Sequence, residues 1–322
     1  MTKTAILSMS RPSQLFTREN YKEEYRRYAK INHPDVGGDA TVMAQINKLY
    51  GMACLLDGAG GWDALDIIKI NGADYHYDSA NIFELGTIYV NDTKIIYHIQ
   101  AKHAKVLVKF PTKVKDSKMR DQMIIPASSP KGWSDPSTGD IYYIIDKSKG
   151  TYLLKDILKK RLIEERHAAW IISRLFNICS LIQYNGLVHL DVSANTILVD
   201  PETHWVGLYG GWWYCYSENE RITKLPASTY KVLPFSSISS KEALFSHMNL
   251  QIRAIAREML GARYGDNLAF SKANSKFVEY ITGSGGDSVI DDFIHWDTEV
   301  VDYIFGPRKF IKWELKKEEV YG

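Results

Sequence analysis

The sequence predicts an α+β protein in two parts: a small helical module at the N-terminus, then a two-lobed domain with a β-rich small lobe and a larger helical lobe. Three features carry this expectation. His33-Pro34-Asp35 stands between two runs of helical periodicity. From Tyr75 to Tyr143, β-branched and aromatic runs alternate with turn residues. Residues 164–184 then form the strongest helical pattern in the chain, and helices dominate the remaining residues. Strands first and helices afterwards point to segregated layers. The expected boundaries are 1–60 for the module, 61–146 for the small lobe and 147–322 for the large lobe.

In the module, Tyr21, Tyr25, Tyr28 and Ala29 recur at helical spacing and define one apolar face. Lys22, Arg26 and Lys30 form an i, i+4, i+8 row on another face. Together they predict a helix over about 18–31. The residue before a proline is pushed out of the α region, so His33 should end that helix. After Val36-Gly37-Gly38-Asp39, the residues Val42, Ile46, Leu49 and Tyr50 mark a second helix over about 40–56. Ile6-Leu7 and Leu15-Phe16 offer only a thin helix before these two, and the glycine run at 58–61 leaves no room for one after them.

This arrangement resembles a J domain, the module with which DnaJ-type co-chaperones engage DnaK-type chaperones and stimulate their ATPase. The resemblance covers roughly residues 14–56. It rests on His33, Pro34 and Asp35, the basic helix before them, the Gly-Gly-Asp turn after them, and Met43-Ala-Gln-Ile-Asn47-Lys-Leu-Tyr50, which is similar to the third J-domain helix. It implies a chaperone-binding surface made of His33, Pro34, Asp35, Lys22, Arg26, Arg27 and Lys30. Docking through such a basic stripe is electrostatic and weakens in salt. A basic row considered alone is better explained as a solvated helix face.

In the second part, residues 83–90, 95–99 and 106–110 read as strands, separated by turns at Asn91-Asp92 and Lys102-His103. Residues 128–139, rich in Ser, Pro and Gly, read as a loop, and 141–145 as a further strand. A short helix near 153–158 precedes the long one, whose buried stripe is Ala168, Ile171, Ile172, Leu175, Cys179 and Ile182. Asn185-Gly186 should end it. Residues 249–260, 276–281 and 296–305 complete the helical part.

After the long helix stands Gly186-Leu-Val-His189-Leu-Asp191-Val-Ser193-Ala-Asn195-Thr196-Ile-Leu-Val-Asp200. It resembles the catalytic loop of protein kinases. The order of β lobe, hinge near 144–147, long helix and loop is also similar to that fold over about 75–315. The resemblance places the substrate-binding aspartate at Asp191. Ser193 stands where kinases have the loop lysine, and Thr196 where they have the metal-binding asparagine, with Asn195 one position early. Where a second metal-binding aspartate is expected, the chain reads Gly210-Gly211-Trp212, without a carboxylate. Phosphoryl transfer depends on positioning and metal electrostatics, so losing both protein ligands for magnesium implies a pseudokinase. His189, Asp191, Ser193, Thr196 and Gly210 are thus expected to be vestigial positions, with Asn249 opening the helix beneath the loop. A single Gly86 stands where kinases carry a glycine-rich loop, and Lys109 resembles their nucleotide-binding lysine without a glutamate to hold it. ATP is not an expected cofactor, and no metal is expected. The Gly210-to-Tyr214 run either fills the metal cleft with aromatic bulk or, as good a reading, packs in the core elsewhere in the large lobe.

Charge is nearly balanced, 40 basic against 38 acidic residues, so no general attraction to nucleic acid is expected. Cys54, Cys179 and Cys215 are far apart and outside any Cys-x-x-Cys pair, which fits a reducing cytoplasm. No apolar stretch reaches membrane-spanning length and the N-terminus lacks a signal-peptide layout, so a soluble cytoplasmic protein is expected. The favoured reading is a co-chaperone with a DnaK-type partner and an inactive kinase-like domain that binds a client. The alternatives are an atypical phosphotransferase using Asp191 with Asn195 or Asn249, and a non-catalytic scaffold with partner surfaces at 236–240 and 296–313. The whole chain, including Gly-Gly-Trp-Trp-Tyr and a terminal Val-Tyr-Gly, is similar to J-domain and kinase-like fusions of bacteria and their phages.

Overall fold

The computed structural model describes residues 3–9, 12–17, 19–58, 67–104, 132–262, 273–307 and 309–321. The chain divides into two compact units, Met1–Tyr77 and Asp78–Gly322. The division falls beyond the glycine run at 58–61 because a β-hairpin clusters with the first unit. Its strands are β1 (Ile67–Ile70) and β2 (Ala73–His76). They are joined by Asn71-Gly72, both at positive φ. That dipeptide is the residue pair a tight hairpin turn requires, so the signal was present in the sequence although the expected strands began further on.

In the first unit, α1 (Lys3–Ser8) precedes α2 (Tyr21–Asn32) and α3 (Ala40–Gly58). Ile6, Leu15, Phe16, Tyr21, Val42, Ile46, Leu49 and Ala53 form its core. Tyr25 stacks on Tyr50 at 3.8 Å between ring centres, and its hydroxyl donates to Asn47 Oδ1 at 3.0 Å, which pins α2 to α3. His33 caps α2 in an extended conformation, as the following proline demands. Gly37 takes φ +83°, and a Cβ on Gly38 would stand 2.1 Å from the Asn32 carbonyl. Both glycines are therefore needed to fold the loop back on α2. Asp39 Oδ1 then accepts the amides of Thr41 and Val42, capping α3.

The second unit opens with an antiparallel sheet in the order β3-β4-β5-β7-β6. Its strands are β3 (Ser79–Phe83), β4 (Gly86–Val90), β5 (Lys94–Ile99), β6 (Gly132–Ser134) and β7 (Ile141–Asp146). Two expectations need correction. Residues 83–90 are not one strand but the two ends of a hairpin turning at Glu84-Leu85, because Phe83 pairs with Gly86. The expected loop at 128–139 contains β6. The strand expected at 106–110, and with it Lys109, lies outside the described residues.

The remainder is largely helical: β8 (Tyr152–Leu153), α4 (Leu154–Lys160) and α5 (Glu165–Tyr184) lead into the central loop region. All six residues of the expected α5 stripe are buried. Beyond the loop lie α6 (Ala227–Tyr230), α7 (Phe235–Ser240), α8 (Ser246–Met259), α9 (Ser275–Thr282) and α10 (Val289–His295). The segment at 236–240, expected as a partner surface, is thus helical. In the segment 296–313, Trp296 and Trp313 are buried in the core, while Tyr303 and Phe310 are exposed. No helix among the described residues is long and apolar enough to cross a membrane.

Candidate functional site

The loop from Leu190 to Thr196 is held by two ladders. Strand β9 (Leu187–His189) pairs with β12 (Cys215–Ser217), opposing His189 to Cys215. Strand β10 (Ile197–Asp200) pairs with β11 (Trp205–Leu208), opposing Ile197 to Leu208. These pairings fold Gly210, Gly211 and Trp212 onto His189 and Asp191, so the positions marked in the sequence do converge.

His189 is fully buried and both its ring nitrogens serve the backbone. Nε2 lies 3.1 Å from the Gly210 carbonyl, which can only accept, so Nε2 carries the proton; Nδ1 accepts the Asp191 amide at 3.1 Å. Burial pushes its pKa down to about 3, and the ring stays neutral. Asp191 is 2% exposed, and its Oδ1 accepts the hydroxyls of Ser193 at 3.0 Å and Ser228 at 2.9 Å. Burial pushes its pKa up to about 6, against those two hydrogen bonds. Thr196 turns its hydroxyl inward, donating to the Asp191 carbonyl at 2.6 Å, so it closes the loop. At Gly210 a Cβ would already lie 3.3 Å from Thr196 Cγ2, with Ile88 and Phe83 just beyond. Gly211 has φ +75°, and a Cβ there would approach Asp191 Cβ to 2.6 Å.

Sequence reasoning placed Asn249 beneath the loop, but Gln251 is the residue that supports it. Gln251 Oε1 accepts the Val192 amide at 2.8 Å, and Nε2 donates to the His189 carbonyl at 3.0 Å. Asn249 instead donates to Gly286 and Ser288, away from Asp191. Two residues along one helix face different neighbours, and no local signal separates them. Ser228 was missed for a similar reason.

The cleft between sheet and loop is bridged on one side by residues no motif had marked, which leave a cavity of about 300 Å³ beside Asp191. Asn81 on β3 donates to the Asn195 carbonyl at 2.8 Å, and the Tyr209 hydroxyl donates to the same carbonyl at 2.6 Å. Asn81 also bonds the Tyr209 hydroxyl, and the Tyr97 hydroxyl donates to the Tyr209 carbonyl. Lys155 on α4 reaches across to Asn81 Oδ1 and, at 2.9 Å, to the Ala80 carbonyl. Tyr97 and Tyr209 have no exposed surface, and burial drives both phenol pKa values up. Trp213 packs edge-on against Phe83 at 5.1 Å, and Trp212 against His189 at 4.7 Å. Trp212 and Trp213 are thus buried beside the loop, and tyrosines 97 and 209 are more deeply buried still.

In protein kinases the phosphate-binding lysine stands on the third strand of the small lobe. The third strand here is β5. Its one lysine, Lys94, pairs with Asp146 at 2.6 Å on the surface, while Tyr97 points inward. Among the described residues, no group of three His, Cys, Asp or Glu side chains could hold a metal ion.

Asp191 and His189 bias stability in opposite directions as pH changes. The raised carboxyl stabilises the fold below about pH 4 and loses that contribution as pH rises through 6. The depressed imidazole stabilises above about pH 6.5, and its contribution fades as pH falls toward 3. Asp191→Asn removes the first effect alone. The variant is expected to be more stable than wild type at pH 7, on the order of 3 kcal/mol, with the difference vanishing toward pH 4. Urea unfolding at pH 4, 5, 6 and 7 measures this; a pH-independent difference would refute it.

The sequence matches no protein-family model and no curated protein. Among solved structures, it is similar to the crystal structure of the BubR1 kinase domain with a TM-score of 0.51 at 7% identity. That match covers 73% of this chain and 83% of the other. The chain therefore carries a protein-kinase-like fold.

Proposed function

We propose that this protein is a J-domain co-chaperone: its first unit engages a DnaK-type chaperone and stimulates ATP hydrolysis, and its kinase-like unit binds a client or partner without transferring phosphate. The carrying observation is the exposed His33-Pro34-Asp35 loop at the end of a helix whose Lys22, Arg26, Arg27 and Lys30 are all exposed. Ile31 and Val36 beside the loop are also exposed, 66% and 67%, which adds apolar surface to the basic stripe. Supporting the second half of the reading are the buried Tyr97 and Tyr209 bridging sheet and loop, no carboxylate at Gly210, and Thr196 turned into its own loop. The similarity to bacterial and phage fusions favours the cytoplasm of a bacterial cell as the setting, with the host chaperone as partner if the protein is phage-borne.

Steady-state ATP hydrolysis by a DnaK-type chaperone, with and without the protein, tests the first half. Stimulation of about tenfold or more is expected, lost in His33→Gln and reduced by salt. An unchanged rate would leave only a docking scaffold. Transfer of labelled phosphate from ATP, abolished by Asp191→Ala, would instead establish the phosphotransferase reading.

A further inference from the structure

Asp191 is a buried carboxylate without a cation. Its Oδ1 receives two neutral hydroxyls, and among the described residues no lysine, arginine or histidine forms an ion pair with it. The residue two positions on is Ser193, so the loop itself supplies no positive charge. Buried ionised groups are normally paired, because desolvation costs several kcal/mol that hydroxyl dipoles only partly offset. Asp191 also lines a cavity of about 300 Å³, together with Phe83, Glu84, Asn195, Tyr214 and Ser228. Glu84 at its edge already pairs with Lys224, which leaves Asp191 as the uncompensated charge. A space of that size accommodates one long side chain, and the rings of Phe83 and Tyr214 suit a cation.

Asn195 and Ser228 also line a second cavity of about 570 Å³, so the two spaces share these two wall residues. The second has the opposite character: Lys155, Lys159, Lys231 and Arg257 surround it, with Glu258 as its one carboxylate. Lys159 is shared with Asp156 at 2.7 Å, and Lys155 and Arg257 also donate to the Ala80 and Ile281 carbonyls, but a carbonyl carries no net charge, so cations outnumber carboxylates at its wall.

We propose that the two cavities form one receptor for an extended peptide segment of a partner protein, whose basic side chain enters beside Asp191 and whose acidic residues lie among Lys155, Lys159, Lys231 and Arg257. The incoming guanidinium or ammonium supplies the counter-charge that the loop lacks, so a position that faces a substrate hydroxyl in kinases serves here as an anchor for a cation. The inference rests on the reading that the kinase-like unit binds a partner without transferring phosphate to it.

Calorimetric titration of the full-length protein tests it with three probes: acetyl-arginine N-methylamide, and the capped peptides Arg-Gly-Ser-Glu-Glu and Arg-Gly-Ser-Lys-Lys. Wild type is expected to bind the arginine probe, and Asp191→Asn to bind it about tenfold or more weakly while keeping a cooperative melt. Glu84→Lys, at the exposed edge, is expected to weaken binding several-fold without touching the buried loop. The acidic-tailed peptide should bind at least about threefold tighter than the lysine-tailed one. Failure of wild type to bind any probe, equal binding by Asp191→Asn, or preference for the lysine tail overturns the proposal and leaves the absence of phosphate transfer standing. Incorporation of labelled phosphate into the acceptor would overturn the reading beneath it.

Discussion

Tyr209→Ala is expected to cost the kinase-like unit about 3–5 kcal/mol, the range for deleting a fully buried aromatic ring. The ring has no exposed surface and sits between the sheet and the loop. Its removal leaves a cavity at the point where Asn81, Asn195 and Tyr97 meet. Tyr209→Phe separates packing from hydrogen bonding. The Asn195 carbonyl keeps the Asn81 donor, and the Tyr97 hydroxyl keeps its backbone acceptor, so this variant should lose only about 1 kcal/mol. Urea unfolding read by intrinsic fluorescence gives both numbers. Equal losses would mean that the hydroxyl network, and not the filled volume, holds sheet and loop together.

Arg253→Ala is expected to cost about 3–5 kcal/mol for a different reason. Arg253 on α8 is 4% exposed and pairs with Asp292, which is itself buried. Its Nε donates to the Tyr280 carbonyl at 3.1 Å, and the guanidinium lies 4.2 Å from the Tyr280 ring centre. Truncation strands a carboxylate in the interior, which is the expensive way to break a buried ion pair. Replacing both members together, Arg253→Met with Asp292→Leu, should restore most of the loss. A double-mutant cycle then isolates the coupling, and additive losses would refute the ion-pair account.

The parts of the fold legible in the sequence are those set by neighbours along the chain. Pro34 ends α2 at His33, and Gly37-Gly38 return the loop, through steric rules that act over a few residues. The stripe on α5 was legible because a helix that buries one face must repeat every 3.6 residues. The same local reading failed at 83–90, where an apolar alternation continues through a two-residue turn and looks like one strand. It also passed over Asn71-Gly72, whose turn is as local as any, because the glycine run at 58–61 looks like the sharper boundary and places the division too early.

The candidate site divides along the same line. The sequence by itself determined which side chains the loop carries, Ser193, Thr196 and Gly210 among them, since side-chain identity needs no coordinates. The tertiary structure alone decided what the loop meets. Asn81 meets Asn195 from 114 positions away, Lys155 meets Ala80 from 75, and Gln251 meets His189 from 62. A buried polar group must find a partner, but which partner it finds depends on the path of the whole chain, and periodicity along one segment carries no trace of it.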